Sequence, residues 1–228
     1  MLNACVNHSG KNLMLEQIVI EPDGPADSCL IWLHGLGADG HDFEPIVPEL
    51  GLQDLALRYI FPHAPIRPVS INNGEEMRAW YDFEPHSETA GADDMQVSSD
   101  AINTIIESQL DAGLPSERIL LAGFSQGGVI ALYVGLRHPM RLGGLIGLST
   151  YLHDPSTTEE ERTDANLALP IFLGHGHGDP MIPIMRAATA RENLIRMAYD
   201  VEWHDYPMGH QVCLEEIQAI SDFIRRIL

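Results

Sequence analysis

One serine of the 228-residue chain stands in a sequence that can make it a nucleophile. Ser125 is the centre of Gly123-Phe124-Ser125-Gln126-Gly127 and directly follows the apolar segment ILLAGF. Between a strand and a helix, a G-x-S-x-G sequence forms a sharp turn that projects the serine hydroxyl, and its glycines let the two elements approach each other. An ordinary glycine-rich turn is the alternative interpretation. The predicted strand before Ser125 and the predicted helix after it favour a nucleophile for acyl transfer.

A serine hydroxyl needs a neighbouring base to take its proton, and that base needs an acid to orient it. In α/β folds that place a nucleophilic serine in such a turn, the acid and the histidine come later in the chain, each after a strand. Asp179 follows the segment PIFLGHGHG, and His210 follows VEWHDYPMG, which contains the last predicted strand and ends in a glycine. We therefore predict Asp179 as the acid and His210 as the base. The competing histidines are His138, His175, His177 and His204, and the competing acids are Asp154, Asp200 and Asp205.

A second glycine-rich segment, LHGLG around Leu36, follows an apolar strand. This is the position from which the fold draws one of the two backbone donors of an oxyanion hole. We predict that the backbone amides of Leu36 and Gln126 bind the oxygen that becomes negative in the tetrahedral intermediate, and that their side chains matter less. A turn without a catalytic role is the alternative.

Two other classes of function compete with a serine enzyme. His175-x-His177-x-Asp179 resembles a metal-ligand cluster, because alternate side chains of a strand face the same way. The cluster has no further histidine adjacent to it, and the chain has no C-x-x-C pair, so we expect no metal and no cofactor. A binding module that has lost catalysis is the other alternative, and the presence of all three residue types of a triad argues against it.

The elements that must position these residues alternate between strand-like and helix-like segments. This order predicts a single α/β domain over residues 1–228, with a mostly parallel central sheet, helices on both faces and no large cap domain. Two acidic stretches without apolar periodicity, 84–99 and 153–166, are predicted to be solvated loops. Predicted strands cover 12–21, 29–33, 59–61, 119–124, 142–148, 171–173 and 201–206, and predicted helices lie near 43–50, 102–110, 129–136, 185–197 and 214–227.

The charge balance limits the partners of the protein. With 33 acidic and 13 basic residues, the formal net charge is −20, which repels nucleic-acid phosphates and anionic lipid headgroups. We expect neither nucleic acid nor stable membrane association, while a homodimer stays open. The three cysteines lie far apart, no apolar run spans a bilayer, and the first residues lack a secretory pattern, which together predict a cytoplasmic protein.

Several longer segments, in the right order, carry a resemblance to a known family. They are LIWLHGLGADGHDF, FPHAPIRPVSINNGEEMRAWYDF, ILLAGFSQGGVIALY, GHGDPMIP and WHDYPMGHQV. From about Ser28 to the C-terminus the chain resembles the phospholipase/carboxylesterase family, which includes acyl-protein thioesterases and small bacterial carboxylesterases. MRAWYDF and WHDYPMGH look most similar to the bacterial branch. The resemblance implies an α/β-hydrolase fold.

The resemblance also implies the roles of individual residues. The family's nucleophile corresponds to Ser125, its acid to Asp179 and its base to His210. Its two oxyanion donors correspond to Leu36 and Gln126. Trp80 would line the acyl side of the substrate pocket, with plain core packing as the alternative. The implied activity is hydrolysis of short- to medium-chain carboxylic esters through an acyl-enzyme. The substrates would be small molecules. Action on acylated proteins or on lysophospholipids with the same residues is the alternative.

Overall fold

A seven-stranded sheet forms the centre of the fold. The structure is a computed structural model that describes residues 14–83 and 91–228. The strands of the sheet are β1 (Gln17–Ile20), β2 (Ser28–Leu33), β3 (Leu57–Pro62), β6 (Ile119–Phe124), β7 (Gly144–Leu148), β8 (Ile171–Gly176) and β9 (Val201–Tyr206), with β4 (Ile66–Val69) and β5 (Glu75–Arg78) in a separate hairpin. Across the sheet they follow the order β1-β3-β2-β6-β7-β8-β9, in which β1 is antiparallel to β3 and the other neighbouring pairs are parallel.

Helices cover both faces of this sheet. They are α1 (Ile46–Leu50), α2 (Ala92–Asp111), α3 (Gln126–Arg137), α4 (Pro155–Glu161), α5 (Ile184–Arg196) and α6 (Leu214–Ile227). Buried side chains of α2, α3 and α5 belong to one core cluster, and those of α1 and α6 belong to the other. The predicted fold class is therefore confirmed. Among the described helices none is long and apolar enough to cross a bilayer.

Strand β2 shows why the central segments could be recognised from the sequence. All six of its residues are buried, and from Cys29 onward they alternate between the two core clusters, with Ile31 on one face and Trp32 on the other. A strand that is covered on both faces must be apolar throughout, because no side chain reaches water. The same reason explains the runs of β6 and β7, whose residues are almost all buried.

The prediction of a loop over 153–166 was wrong. This stretch contains α4 and a single helical turn over Asp164–Asn166. The carboxylate of Asp154 accepts hydrogen bonds from the Ser156 and Thr157 amides at 3.1 and 3.2 Å, which caps the helix. Asn166 is fully buried, and its side chain bonds to the His138 carbonyl at 2.7 Å. Polar contacts rather than apolar periodicity hold this segment in place.

The acidic stretch 84–99 is also not wholly a loop. Helix α2 begins at Ala92, and Ser98 and Ser99 are buried within it. Residues 84–90 lie outside the described residues, as do residues 12 and 13 of the predicted first strand. The β4–β5 hairpin was not predicted, because its segments IRPV and EEMR lack the apolar character of a buried strand.

Candidate active site

Ser125 occupies a strained turn between β6 and α3. Its backbone has φ 54° and ψ −120°, a region that residues with a side chain rarely adopt. Its amide donates to the Leu148 carbonyl at 2.8 Å, which ties the turn to the end of β7. A Cβ at Gly123 would overlap the Gly127 carbonyl, and one at Gly127 would overlap the Leu33 carbonyl. The glycines are required because strand and helix pass at the distance of bare backbones.

Asp179 is held still by hydrogen bonds on both carboxylate oxygens. Its side chain has no exposed surface, and Oδ1 accepts from the amides of Met181 and Ile182 at 2.8 and 2.9 Å. Oδ2 lies 2.7 Å from Nδ1 of His210. Burial raises the pKa of Asp179, but the Ile182 amide, the His210 ring and the Met181 amide together outweigh it and leave the pKa below its ordinary value. The carboxylate is therefore ionised at neutral pH.

The ring of His210 lies next to the nucleophile turn. Its centroid is 4.7 Å from that of Phe124, the residue before Ser125. The carboxylate of Asp179 fixes Nδ1, so that Nε2 is the nitrogen left to act as base. Among the described residues, no hydrogen bond joins Ser125 Oγ to His210. Such bonds are often long without substrate and shorten when it binds.

The residues that competed for these roles have other partners. His177 pairs with Asp205 at 3.0 Å, and His204 pairs with Glu202 at 2.9 Å, both away from the acid. Asp154 caps α4. Of the other three competitors, His138 and Asp200 contribute to backbone hydrogen bonds at Met140 and Ile171. His175 Nε2 lies 3.5 Å from Asp179 Oδ2 but donates to the Ile182 carbonyl at 2.9 Å.

The side chains of His175, His177 and Asp179 do not all converge, as a metal-ligand cluster would require. His175 is fully buried and donates from Nε2 to the Ile182 carbonyl at 2.9 Å, whereas His177 turns to Asp205. Within residues 14–83 and 91–228, no group of three or more His, Cys, Asp or Glu side chains is arranged to hold a metal ion.

The two predicted oxyanion donors belong to two separate segments, the first turn of α3 and the loop after β2. Gln126 is the first residue of α3, where backbone N–H groups have no partner inside the helix. Leu36 lies in the loop after β2, which is anchored where the Gly37 amide donates to the Arg78 carbonyl at 2.8 Å. At Gly35 this loop approaches the turn, where an added Cβ would lie 3.5 Å from the Ser125 Cβ. The donor roles of both amides stay predictions.

The side chain of Gln126 has a role that the sequence did not reveal. Its Oε1 accepts from the Trp80 amide and its Nε2 donates to the Tyr81 carbonyl, both at 2.8 Å and both buried. These contacts give the side chain a structural role beside the predicted catalytic role of its amide. Another missed contact runs from the Thr150 hydroxyl to the Ser125 carbonyl at 2.8 Å. These partners are distant in sequence, and no local pattern could have indicated them.

Trp80 does not line an open pocket. Its side chain has no exposed surface, and its Nε1 donates to the His34 carbonyl at 2.8 Å. The ring packs 5.2 Å from that of His34, whose Nε2 in turn accepts from the Ala64 amide. The predicted contact with the acyl group is corrected to packing beneath the LHGLG loop. An indole of this size is buried there because its single donor finds a carbonyl.

A strained serine between a parallel strand and a helix, with Asp179 and His210 joined after later strands, defines a serine hydrolase of the α/β-hydrolase fold. The chain belongs to the phospholipase/carboxylesterase family, whose model matches residues 15–228. The resemblance predicted from the sequence is thus confirmed, while the bacterial branch stays a prediction.

Relatives and solved structures agree with this assignment. Acyl-protein thioesterase 1 of Gibberella zeae is 35% identical over 216 residues, which cover 88% of this chain and 91% of that one. The enzyme of the same name from Saccharomyces cerevisiae is 29% identical, covering 90% and 94%. The structure of Arabidopsis thaliana SOBER1 superposes with a TM-score of 0.81 at 29% identity, covering 87% of this chain and 98% of that chain. For esterase PE8 the TM-score is 0.82 at 26% identity, covering 94% and 100%.

Proposed function

We propose that Ser125, His210 and Asp179 form a catalytic triad that hydrolyses carboxylic esters and thioesters through an acyl-enzyme. The observation that carries this proposal is the 2.7 Å contact between His210 Nδ1 and the buried carboxylate of Asp179, beside the strained turn of Ser125. An ionised, immobile carboxylate of this kind orients the imidazole and stabilises its protonated form.

The reaction follows from these positions. Ser125 Oγ attacks the carbonyl carbon while His210 Nε2 takes the hydroxyl proton, and the amides of Leu36 and Gln126 receive the oxyanion. The imidazolium then gives its proton to the leaving alcohol or thiol. Water, deprotonated by the same nitrogen, attacks the acyl-enzyme and releases the carboxylic acid and the free serine.

Three substrate classes fit this machinery. Small soluble esters with short to medium acyl chains are the class that the charge and the resemblance favour. The thioester bond of an acylated protein is the second candidate, favoured because curated relatives that cover most of the chain are called acyl-protein thioesterases. The same triad serves both, because a thiolate leaves more readily than an alkoxide. Lysophospholipids stay the third candidate.

Replacement of the nucleophile tests the triad directly. We expect Ser125→Ala to abolish ester hydrolysis and labelling by a fluorophosphonate probe, while circular dichroism and the unfolding midpoint show a folded protein. Peptide mapping of the labelled wild type should find the probe on Ser125. Labelling of another serine, or normal hydrolysis by the variant, would overturn the assignment.

A substrate panel separates the candidate classes. Nitrophenyl esters from acetyl to palmitoyl, an S-acyl cysteine peptide with its O-acyl serine counterpart, and a lysophospholipid are compared by kcat/KM. A strong preference for the S-acyl over the O-acyl peptide, beyond the ratio of their rates in hydroxide, identifies a thioesterase. Comparable ratios for enzyme and hydroxide identify a general esterase.

A further inference from the structure

One exposed arginine beside the proposed site differs from most other arginines of the described chain. Many of them pair with carboxylates, for example Arg58 with Glu21 at 2.9 Å and Arg137 with Glu161 at 2.7 Å. Arg186 has no carboxylate within 4.0 Å among the described residues, although the molecule is strongly acidic. An arginine is charged at every accessible pH, so Arg186 carries a full positive charge with which no carboxylate of residues 14–83 and 91–228 pairs.

The guanidinium of Arg186 rests on an aromatic support. Its central carbon lies 3.7 Å from the centroid of the Tyr151 ring. The hydroxyl of Tyr151 is 2.9 Å from that of Tyr81, and both tyrosines are buried. A guanidinium against a ring face keeps its N–H groups at its edge, where they can reach a ligand. The arginine is thus partly ordered before any ligand binds.

This support connects to both halves of the site. Tyr151 follows Thr150, whose hydroxyl donates to the Ser125 carbonyl at 2.8 Å. Arg186 lies in the first turn of α5, and its amide donates to the Pro183 carbonyl at 2.8 Å, at the end of the loop that begins with Asp179. The stacked pair of Arg186 and Tyr151 is thus linked to the nucleophile turn through Thr150 and to the loop of Asp179 through Pro183.

We propose that Arg186 forms an anion subsite beside Ser125, which selects small ester substrates that carry a carboxylate or phosphate in the same molecule. The inference rests on the proposed function and adds the charge of the substrate. With a net charge of −20 the protein as a whole repels anions, so a guanidinium at the site would act at contact distance, where two N–H groups can bind one oxyanion.

Matched substrate pairs measure this preference. One pair places a carboxylate on the leaving group, 3-(butyryloxy)benzoate against the neutral 3-(butyryloxy)benzamide. A second places it on the acyl group, monomethyl glutarate against methyl pentanoate. A third carries a phosphate, 1-butyryl-glycerol 3-phosphate against 1-butyryl-glycerol. The pair whose ratio of kcat/KM values changes when Arg186 is substituted identifies the anion and the half of the substrate that carries it.

The chain offers a matched control for the substitution. Arg191 is on the same helix, is exposed, and lies 5.7 Å from the Trp203 ring centroid without a carboxylate within 4.0 Å among the described residues. Arg186→Gln and Arg191→Gln change the net charge equally. Arg186→Lys keeps the charge and removes the planar fork.

We expect Arg186→Gln to lower kcat/KM about tenfold or more for the anionic member of at least one pair, as the loss of a charge-assisted hydrogen bond implies. The neutral member should change less than twofold, Arg191→Gln should resemble the wild type, and Arg186→Lys should be intermediate. An equal fall for both members would show a structural role on Tyr151, and an equal effect of Arg191→Gln would show a general charge effect. Either result, or no change, overturns the subsite.

A binding measurement separates this proposal from the triad. Calorimetry with Ser125→Ala and 3-(butyryloxy)benzoate, monomethyl glutarate or 1-butyryl-glycerol 3-phosphate should show binding that Arg186→Gln abolishes in the double variant. If the wild type neither hydrolyses esters nor reacts with fluorophosphonate, the triad fails while this binding still supports the subsite. If hydrolysis is normal and no anion binds, the subsite alone fails.

Discussion

At the scale of single residues, the geometry of Asp179 gives the sharpest expectation. We predict that Asp179→Asn lowers kcat for ester hydrolysis by about 10³–10⁴-fold, because an amide in its place would favour the wrong tautomer of His210. Asp205→Asn is the matched control, since Asp205 is exposed and pairs with His177. Steady-state kinetics on a nitrophenyl ester measures both. A severe loss in the control instead would move the acid to Asp205.

His175 is a positioning residue behind this acid. Its Nε2 bonds to the Ile182 carbonyl, while the Ile182 amide bonds to Asp179, and burial lowers the pKa of the His175 ring so that it is neutral. We predict that His175→Leu lowers the free energy of unfolding by about 1–3 kcal/mol, because it leaves a buried carbonyl unpaired. The released loop should lower kcat with little change in KM. An unchanged kcat in a destabilised protein would limit His175 to a structural role.

At the scale of elements, the nucleophile turn depends on backbones that nearly touch. We predict that Gly127→Ala destabilises the protein by about 1–3 kcal/mol or more, because its Cβ would overlap the Leu33 carbonyl and force β2 and α3 apart. Gly24→Ala is the control, since nothing lies within 4 Å of the Cβ it would add. Urea unfolding midpoints compare the two. Equal midpoints would show that the turn relaxes without cost.

The elements that the sequence revealed are those in which burial fixes the residue type. Strand β6 and helix α6 have the predicted bounds, because a covered strand is apolar throughout and an amphipathic helix repeats every 3.6 residues. Strand β9 also has the predicted bounds, although only Tyr206 of its residues is buried. Helix α4 was missed because a cap from Asp154 and the buried amide of Asn166 hold it. The Asn166 side chain bonds to a carbonyl 28 residues earlier, and the Asp154 cap spans only two or three residues, so neither contact leaves an apolar period in the sequence.

The same division applies to the site. The order of serine, aspartate and histidine is a property of the fold and can be read from one sequence. The brace from Gln126 to the backbone of Trp80, the support of Asp179 by His175, and the stack of Arg186 on Tyr151 require the three-dimensional arrangement. Trp80 itself was misplaced because an aromatic residue in a motif looks the same whether it lines a pocket or packs beneath a loop.

At the scale of the whole molecule, two buried groups make stability depend on pH in opposite directions. Burial lowers the pKa of His34 to about 4 and raises that of Glu216 to about 8. Between about 4 and 6.5 the unfolded state binds the histidine proton and the folded state does not, so stability from His34 is lost as pH falls. Between about 4.5 and 8 the folded state keeps the Glu216 proton, so its contribution is lost as pH rises.

Substitution of Glu216 isolates the alkaline side of this dependence. We predict that Glu216→Gln removes the fall in stability between about pH 4.5 and 8, above which the wild type must hold a buried carboxylate whose two oxygens have no hydrogen-bond partner among the described residues. At about 1.4 kcal/mol per pKa unit, the variant should be more stable than the wild type by a few kcal/mol at pH 9. Urea unfolding from pH 5 to 9 measures it, with Glu215→Gln, at an exposed position of the same helix, as control. Parallel wild-type and Glu216→Gln curves would refute the assignment.

The net charge of −20 sets a limit on where the enzyme meets its substrate. Within the ~8–10 Å over which charges act at physiological salt, an acidic surface opposes approach to an anionic bilayer. We predict that anionic vesicles do not activate hydrolysis, although Met181 and Met185, both 69% exposed, give the loop and helix after Asp179 an apolar surface.

Acyl-chain length should act separately from this repulsion. Each added methylene contributes ~0.8 kcal/mol when it is buried, or about fourfold in kcat/KM, until the acyl site is filled. We therefore expect kcat/KM for nitrophenyl esters to rise from acetyl, reach a maximum at medium length and fall towards palmitoyl. The series is measured with no vesicles, with neutral vesicles and with anionic vesicles, at low and high salt. A maximum at palmitoyl, together with activation by anionic vesicles, would contradict both the chain-length prediction and the vesicle prediction. It would point to a substrate presented at a membrane, because only binding energy gained at the membrane could overcome the repulsion by the charge of the protein.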